Sequence, residues 1–461
     1  MAAPSCENVP TVFIEVRQQI RAVQVVLQIQ TSCDEDKPCQ DKCQITPSTF
    51  QVEVLPHSLN INLWSDKSCD VFQLNGIKLL PKTCNGLHWV PEEGLHMRLQ
   101  VAEGHSKDTR EVSEAREKEE CGFLSQASCI LTCGMCRAKI ALNQCTFDRV
   151  LPLPSENWRE LSENWCCHGN KETGRFANQS LLPSDSDCLV GALYILLHPS
   201  MLCKEAFILR RLKTADAPVT RKESSLSLLC RRCRSSLGEG LTKGADSIQR
   251  GQEWQAIHSV KLFKHSLHIR SCDEQLNLRN SFSCYNTETY LAQHLASLSQ
   301  MHATFKFIIE KEASQQQCLL VWLLSADTLL LTSDALPLGQ LGNHFHGNQS
   351  LPSCCSSSSF KAAGRDKCCC TPRQRVKTHD MNAHKIVKVL YQTQWDQEWK
   401  SVYQQWSKDL SIQAVPLPKT TCLELMMLLA DSNQHTPASL RQMNGFKQRS
   451  DEHFYLERHE N

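Results

Sequence analysis

The sequence predicts an α+β protein with a β-rich, sandwich-like amino-terminal domain, a cysteine-rich middle region and an α+β carboxyl-terminal region that carries a disordered insert. Apolar residues alternate repeatedly in the first hundred residues, cysteines concentrate after residue 120, and both helical and strand periods occur after residue 250. The predicted boundaries are 10–104 for the β-rich domain, 105–120 for a charged linker, 121–240 for the cysteine-rich region, 250–334 with 384–450 for the α+β region, and 335–383 for the insert.

Overall composition excludes several classes of protein. The 461 residues carry a formal net charge of +1, so we expect neither direct nucleic-acid binding nor general membrane attraction. The apolar runs are too short to span a bilayer, and the first ten residues lack the apolar core of a signal peptide. We therefore expect an intracellular protein, in the cytoplasm or also in the nucleus. In that compartment the 26 cysteines indicate metal ligands, reactive thiols or buried apolar groups rather than disulfides.

The β-rich domain is predicted from two-residue alternation. Apolar side chains occupy every second position in four segments, which is typical of antiparallel strands with one face in water. The clearest examples are Val23, Val25 and Leu27, and Leu95, Met97 and Leu99.

The later segments are predicted with less regular patterns. Residues 105–120 are charged and almost free of large apolar groups, which indicates a linker or a solvated helix. Residues 318–331 form two apolar runs around Ser325 and Asp327, which predicts a buried hairpin. Residues 335–383 are rich in serine and clustered cysteine without a period, which predicts disorder.

Two Cys-x-x-Cys pairs predict a zinc site in the middle region. Cys133 and Cys136 form the first pair, and Cys230 and Cys233 form the second. Each pair makes a tight turn that directs two thiolates at one ion, so two pairs complete a tetrahedral, structural four-cysteine site of the zinc-ribbon kind. The alternative interpretation is two unrelated pairs of buried thiols.

The gap between the pairs means that this zinc-ribbon-like site is split. Ninety-three residues separate Cys136 from Cys230 (positions 137 to 229), whereas a compact ribbon has about 15–20. The two halves must therefore meet in space around a long insertion. On spacing alone, Cys121, Cys129 or the Cys166/Cys167 pair could replace one ligand.

The insertion contains RVLPLPSENWRELSENWCCH, which ends in Trp165, Cys166, Cys167 and His168. Two prolines stiffen an extended start, and a short amphipathic stretch with two tryptophans follows. It is either a packed aromatic segment with inert thiols or a segment that docks on a partner and presents a cysteine to the partner's metal.

A series of motifs resembles one known family. These motifs are RVLPLPSENW, WCCH, FANQSL, CRRCRSSLGE, LLVWLLSADTL, VKVLYQ, TCLELMMLL and SLRQMNGF, in this order between residues 149 and 446, and the resemblance covers about residues 10 to 446. Together they resemble the HECT-like E3 ubiquitin ligases known as ubiquitin-conjugating-enzyme-binding proteins. The resemblance implies a ligase that accepts ubiquitin from a conjugating enzyme (E2) of the mitotic type. It would pass ubiquitin to itself or to substrates such as cyclin B and so promote proteasomal degradation.

The resemblance also suggests a nucleophile in PLPKTTCLELMMLL. HECT ligases place a Leu-Pro pair before the Thr-Cys that carries ubiquitin as a thioester, and by this similarity Cys422 is the thioester cysteine. Thr421 and Glu424 have capping-box spacing, which would place Cys422 in the first helical turn, where the helix dipole favours a thiolate. The alternative is a buried core thiol, because the following helix is strongly apolar and Leu423-Glu424 replaces the usual Phe-Asn.

The resemblance further implies a second, non-enzymatic function. The segment ending in Trp165–His168 resembles cysteine plugs that block the zinc centre of metallo-β-lactamase-fold endonucleases of mRNA 3′-end processing. By position Cys167 would be the plug, taking the open metal position where a catalytic water binds. This predicts that Cys167 is not a ligand of the protein's own metal.

Overall fold

A computed structural model describes residues 7–32, 50–63, 68–91, 93–102, 109–153, 182–211, 223–243, 251–277, 280–312, 314–333, 375–395, 399–441 and 452–458. The chain divides into two compact units. Unit 1 comprises Met1–Ile14, Ala22–Ala102 and Leu331–Ala383, and unit 2 comprises Glu15–Arg21, Glu103–Leu330 and His384–Asn461. The predicted α+β class is confirmed, with strands far outnumbering helices among the described residues.

The secondary-structure elements are numbered in chain order. The strands are β1 (Glu7–Arg17), β2 (Ala22–Ser32), β3 (Phe50–Val54), β4 (Ser58–Leu63), β5 (Ser68–Asn75), β6 (Leu79–Val90), β7 (Gly94–Val101), β8 (Cys129–Cys133), β9 (Arg149–Pro152), β10 (Asp187–Val190), β11 (Tyr194–Leu197), β12 (Phe207–Arg211), β13 (Glu223–Cys230), β14 (Ser236–Lys243), β15 (Ile257–Phe263), β16 (Leu267–Ser271), β17 (Lys306–Lys311), β18 (Gln317–Thr332), β19 (Arg375–Asn382), β20 (His384–Thr393), β21 (Gln413–Leu417) and β22 (Glu452–Arg458). The helices are α1 (Thr109–Gln126), α2 (Glu274–Asn277), α3 (Thr287–His302), α4 (Trp399–Trp406) and α5 (Lys419–His435). No helix in the described part of the chain is both long and apolar enough to cross a membrane.

Unit 1 is built from two groups of strands. Strands β1, β2, β7 and β6 lie in this order, and β19, β5, β4 and β3 form a four-stranded sheet. The alternating residues identified in the sequence are buried, including Val25 and Met97. Alternation therefore predicted the inward-facing positions correctly.

Strand β19 corrects the predicted extent of the insert. Residues 375–382 pair in parallel with β5. The imidazole of His379 lies 2.9 Å from the Asp70 carboxylate and stacks on the Phe72 ring, which holds the strand in place. This strand was missed because its sequence, RVKTHDMN, has no apolar alternation: Val376 is exposed, and the buried Met381 lies on the other face. Residues 335–374 of the predicted insert lie outside the described residues.

Unit 2 contains a seven-stranded sheet, with the order β12-β13-β14-β15-β11-β10-β9, and a two-stranded sheet of β16 and β8. Strands β21, β17, β18 and β20 form a further layer. Apolar residues of α3 and α5 pack on one face of this layer, and Trp399 of α4 packs against Ile308 and Leu320. Helix α3 is capped by Asn286, whose side-chain oxygen accepts the Thr289 N–H at 2.7 Å.

The predicted hairpin at residues 318–331 is wrong, because β18 is one strand of sixteen residues. The strand pairs with β20 on both sides of Ser325, and the register shifts there. The Ser325 hydroxyl donates to Asp327 at 2.8 Å and accepts from Thr328 at 2.9 Å. Residues 325–327 therefore form a bulge that bends the strand rather than a turn that reverses its direction.

The charged linker prediction also needs correction at its carboxyl end. Helix α1 covers its described part, and Glu120 is completely buried rather than solvated. The Glu120 carboxylate is paired with the buried Lys264 ammonium and accepts a hydrogen bond from the Tyr285 hydroxyl at 2.6 Å. The Lys264 ammonium also lies 3.2 Å from that hydroxyl. A buried acid is tolerated here because both carboxylate oxygens are hydrogen-bonded.

Candidate functional site

The two Cys-x-x-Cys pairs lie at the tips of two hairpins. Strand β8 enters the first hairpin, residues 129–141, and β13 enters the second, residues 226–238. Although far apart in sequence, the two tips meet, and all four sulfur atoms lie within 4.8 Å of one another. The set is the one predicted: Cys133, Cys136, Cys230 and Cys233.

The sulfur positions suit a tetrahedral metal ion. The Sγ atoms of Cys133 and Cys233 are 3.6 Å apart, as are those of Cys136 and Cys230. Metal–sulfur bonds of about 2.3 Å in a tetrahedron give sulfur–sulfur distances of about 3.8 Å. The four cysteines could therefore hold a metal ion, and a closed set of this kind has no open position for water.

The same backbone turn forms both tips. Arg137 and Arg234, which follow the second cysteine of each pair, have φ values of 59° and 64°. The N–H of each arginine donates to the carbonyl of the first cysteine of its pair, at 2.9 Å and 2.8 Å. This left-handed step turns the chain back so that both thiols of a pair face the same point.

The two hairpins are related by an internal pseudo-twofold axis. Adding 97 converts the numbers of the first hairpin to those of the second (230 − 133 = 97). Adding 60 converts the first connector, residues 202–211, to the second connector, residues 262–271 (267 − 207 = 60). Under these two shifts the contacts between the hairpin tips and the connectors have counterparts. Leu267 pairs with Cys133, and its counterpart Phe207 pairs with Cys230. Ala141 pairs with Leu202, and its counterpart Gly238 pairs with Leu262. The Gly134 N–H donates to the Ser266 carbonyl at 2.8 Å, and the Arg231 N–H donates to the Ala206 carbonyl at the same distance.

This symmetry explains the long gap between the pairs. Each connector pairs with the entering strand of one hairpin and the leaving strand of the other, so the segments between the pairs are required to build the site. Cys129, one of the alternative ligands, instead faces Cys145 through two backbone hydrogen bonds. Cys121 is also outside the sulfur cluster found among the described residues.

Local hydrogen bonds distinguish the four thiols. Burial raises the pKa of Cys230 to about 12. Burial also acts on Cys233, but hydrogen bonds from the Ser235 hydroxyl and N–H outweigh it and lower the pKa of Cys233 to about 6. The Ser235 hydroxyl lies 3.0 Å from Cys233 Sγ and 3.4 Å from Cys133 Sγ. Sequence reasoning missed this serine. Its position directly after Cys-x-x-Cys-Arg could have indicated it, because the first hairpin has Ala138 at the equivalent position.

The predicted nucleophile lies in a core. Cys422 is 1 % exposed and packs with Leu417, Leu425 and Leu429 between α5 and the strand layer. Its Sγ is 3.6 Å from the carbonyl oxygen of Leu417 and 3.8 Å from that of Glu310. A hydrogen bond with Cys318 and burial both raise the pKa of Cys422 above its usual range. In this conformation the group is a protonated thiol with no exposed sulfur.

The predicted capping box at Thr421 is wrong. Helix α5 begins at Lys419, its cap is Pro418, and Thr421 is buried inside the first turn. The Cys422 N–H is already bonded to the Pro418 carbonyl at 2.9 Å. The strand-to-helix junction is where the sequence indicated, but Pro418 starts the helix three residues earlier than the threonine would.

The other predicted site cannot be placed. Trp165, Cys166, Cys167 and His168 lie outside the described residues. The segment that contains them leaves after β9 and returns before β10. These strands pair in parallel, and Arg149 holds both carboxylate oxygens of Asp187, at 3.1 and 2.6 Å.

Comparison with known proteins places the chain among ubiquitin-related proteins. A sequence profile of the family described as HECT-like ubiquitin-conjugating enzyme (E2)-binding matches residues 15–448. Three similar proteins each bear the name of an E3 ubiquitin-protein ligase. The Mus musculus protein is 28% identical over 450 residues, the Homo sapiens protein 27% over 471, and the Pongo abelii protein 26% over 464. In all three the similarity covers 97% of this chain and 98% of the relative.

Proposed function

Because the chain belongs to the family of HECT-like ubiquitin-conjugating enzyme (E2)-binding proteins, we propose that it is an E3 ubiquitin ligase. The observation that carries this proposal is the match of that family to residues 15–448. Its partners would be a conjugating enzyme of the mitotic type, ubiquitin, and substrates of the cyclin B kind or the ligase itself. Ubiquitination would direct these substrates to the proteasome.

The burial of Cys422 supports direct transfer from the conjugating enzyme. A lysine amine of the substrate attacks the thioester that joins ubiquitin to the conjugating enzyme. An isopeptide bond forms, the thioester bond breaks, and the conjugating enzyme leaves with a free thiol. The ligase then contributes binding and orientation rather than a covalent intermediate. The thioester hypothesis for Cys422 remains the alternative, and it requires α5 to separate from the strand layer.

We further propose that the four-cysteine centre binds zinc. Its four thiolates and short sulfur–sulfur distances match structural zinc sites. Cys133 and Cys136 would hold one side of the ion, and Cys230 with Cys233 the other. When bound, zinc would supply only cross-linking between the hairpins.

A single-turnover assay separates the two ligase mechanisms. We expect wild type and Cys422→Ala to discharge a ubiquitin-charged conjugating enzyme at rates within about twofold, without a reductant-sensitive ubiquitin adduct on the ligase, because the buried thiol cannot reach the thioester. The measurement is non-reducing gel electrophoresis of labelled ubiquitin.

Cys318→Ala is the matched control, since it removes a neighbouring buried thiol of the same core. A reductant-sensitive adduct that is present in wild type and Cys318→Ala but absent in Cys422→Ala would overturn direct transfer and establish the thioester mechanism.

The Trp165–His168 segment supports a second candidate function, inhibition of an mRNA 3′-end-processing endonuclease by Cys167. Two adjacent cysteines beside a tryptophan and a histidine suit a metal-directed plug. The Arg149–Asp187 pair joins β9 and β10, the described strands that precede and follow the segment. We expect Cys167→Ala to abolish inhibition of the endonuclease, with Cys166→Ala as the control. Unchanged inhibition in Cys167→Ala would rule this function out.

A further inference from the structure

The hairpin tips carry an unusual surface around the metal centre. Met135 projects from the tip of the first hairpin and is 67 % exposed. The exposed basic residues of the hairpins and of β16 are Arg137, Lys139, Arg231, Arg232, Arg234 and Arg270. Neither hairpin contains an acidic residue, although acids and bases are balanced in the whole chain, 49 against 50.

Contacts place several of these cations on one face. The Arg232 guanidinium reaches across the centre to the Cys136 carbonyl at 3.4 Å. Burial lowers the pKa of His268, and the nearby charges of Arg137 and Arg270 lower it further. Lys139 and His268 both pair with Thr132, so their side chains share its face of the sheet. Arg231 is set apart, because its guanidinium bonds the backbone oxygens of Glu205 and Phe207.

The negative charge of the four-cysteine centre is smaller than the positive charge of this face. Four thiolates and one divalent ion leave two negative charges. Arg137, Lys139, Arg232 and Arg270 supply four positive charges, so the face remains positive with the ion bound.

We propose that this face, Met135 with Arg137, Lys139, Arg232 and Arg270, docks an acidic surface of the ubiquitin-conjugating enzyme. The inference rests on the proposed function, which provides the partner. Arginine and methionine are enriched at protein interfaces, and arginine binds carboxylates with two parallel hydrogen bonds. A protein partner fits better than RNA, because the face carries no Phe, Tyr or Trp side chain to stack on bases. An ion bound by Cys133, Cys136, Cys230 and Cys233 would hold the two hairpin tips, and so the face, in a fixed arrangement.

The test measures binding of the full-length, metal-loaded protein to a purified mitotic-type conjugating enzyme by titration calorimetry. We expect Arg232→Glu/Arg270→Glu to weaken binding at least tenfold, and Met135→Asp to weaken it by about tenfold, since both change the centre of the interface. Wild-type affinity should fall as salt increases. Lys400→Glu/Lys408→Glu makes the same change in net charge at two exposed lysines elsewhere and should bind like wild type.

The outcomes separate the inference from the function on which it rests. Metal content, measured by mass spectrometry, shows that each variant has kept its fold. Equal binding by wild type and both face variants would overturn the docking surface while leaving the ligase proposal intact. A wild-type protein that neither binds nor discharges the conjugating enzyme would instead overturn the ligase proposal. If the arginine variant lost binding to a polyuridine oligonucleotide but kept the conjugating enzyme, the face would be assigned to RNA.

Discussion

Replacement of Cys230 by serine is expected to release the metal ion and to unfold the region from β8 to β16. Structural zinc contributes about 10–16 kcal/mol of apparent binding free energy in small zinc domains, so losing one ligand should lower the free energy of unfolding by several kcal/mol. Cys230 is buried and its strand pairs on both sides, with β12 and β14. The effect should therefore spread into the seven-stranded sheet. The measurements are metal content and thermal unfolding of the purified protein.

Cys272→Ser is the matched control, because it removes an exposed thiol that follows β16 directly but lies outside the sulfur cluster. It should keep one metal ion and the wild-type melting temperature. Chelation of wild type should reproduce the Cys230→Ser result, and zinc should reverse it. A Cys230→Ser protein with full metal content and unchanged melting would contradict the assignment of this residue as a ligand.

Lys264→Met is expected to lower the free energy of unfolding by about 3–5 kcal/mol, the usual effect of removing one partner of a buried ion pair. The Glu120 carboxylate would remain buried with only the Tyr285 hydroxyl to hold it. The measurement is chemical denaturation followed by circular dichroism.

The pseudo-twofold axis supplies the control. Lys204 occupies the position in the first connector that Lys264 occupies in the second, but it is exposed and lies 3.8 Å from Glu205. Lys204→Met should change stability by no more than about 0.5 kcal/mol. The double variant Glu120→Leu/Lys264→Met should recover most of the loss, since no charge is left unpaired. Equal effects of the two lysine variants would contradict a special role for the buried pair.

The sequence predicted the parts of the structure that depend on local pattern. Alternation identified the buried faces of β2 and β7, and the paired cysteines identified the four-sulfur cluster, because both signals are contained in a few adjacent residues. The resemblance identified the family, which the matching profile and the three relatives confirm.

Features that depend on distant partners were not predicted. The Glu120 carboxylate looks solvated in sequence because its partners, Lys264 and Tyr285, lie more than 140 residues away. The continuous strand β18 looks like a hairpin because its bulge has the composition of a turn. Whether Cys422 is exposed or buried could not be predicted from the apolar helix that follows it, since the same pattern follows both core thiols and accessible thiols.

The pseudo-twofold arrangement of hairpins and connectors has an evolutionary consequence. It is the arrangement expected if the gene for a small homodimer, in which each copy pairs a strand with the other, were duplicated and fused. After such a fusion the surroundings of equivalent residues can diverge, as those of the exposed Lys204 and the buried Lys264 have done. If the cluster holds an ion, the cysteines cannot diverge, because each copy supplies only two of the four sulfur atoms. The two copies then differ in length, because 74 positions separate Cys133 from Phe207 in the first copy and 37 separate Cys230 from Leu267 in the second, so the first copy is the longer one between its hairpin and its connector.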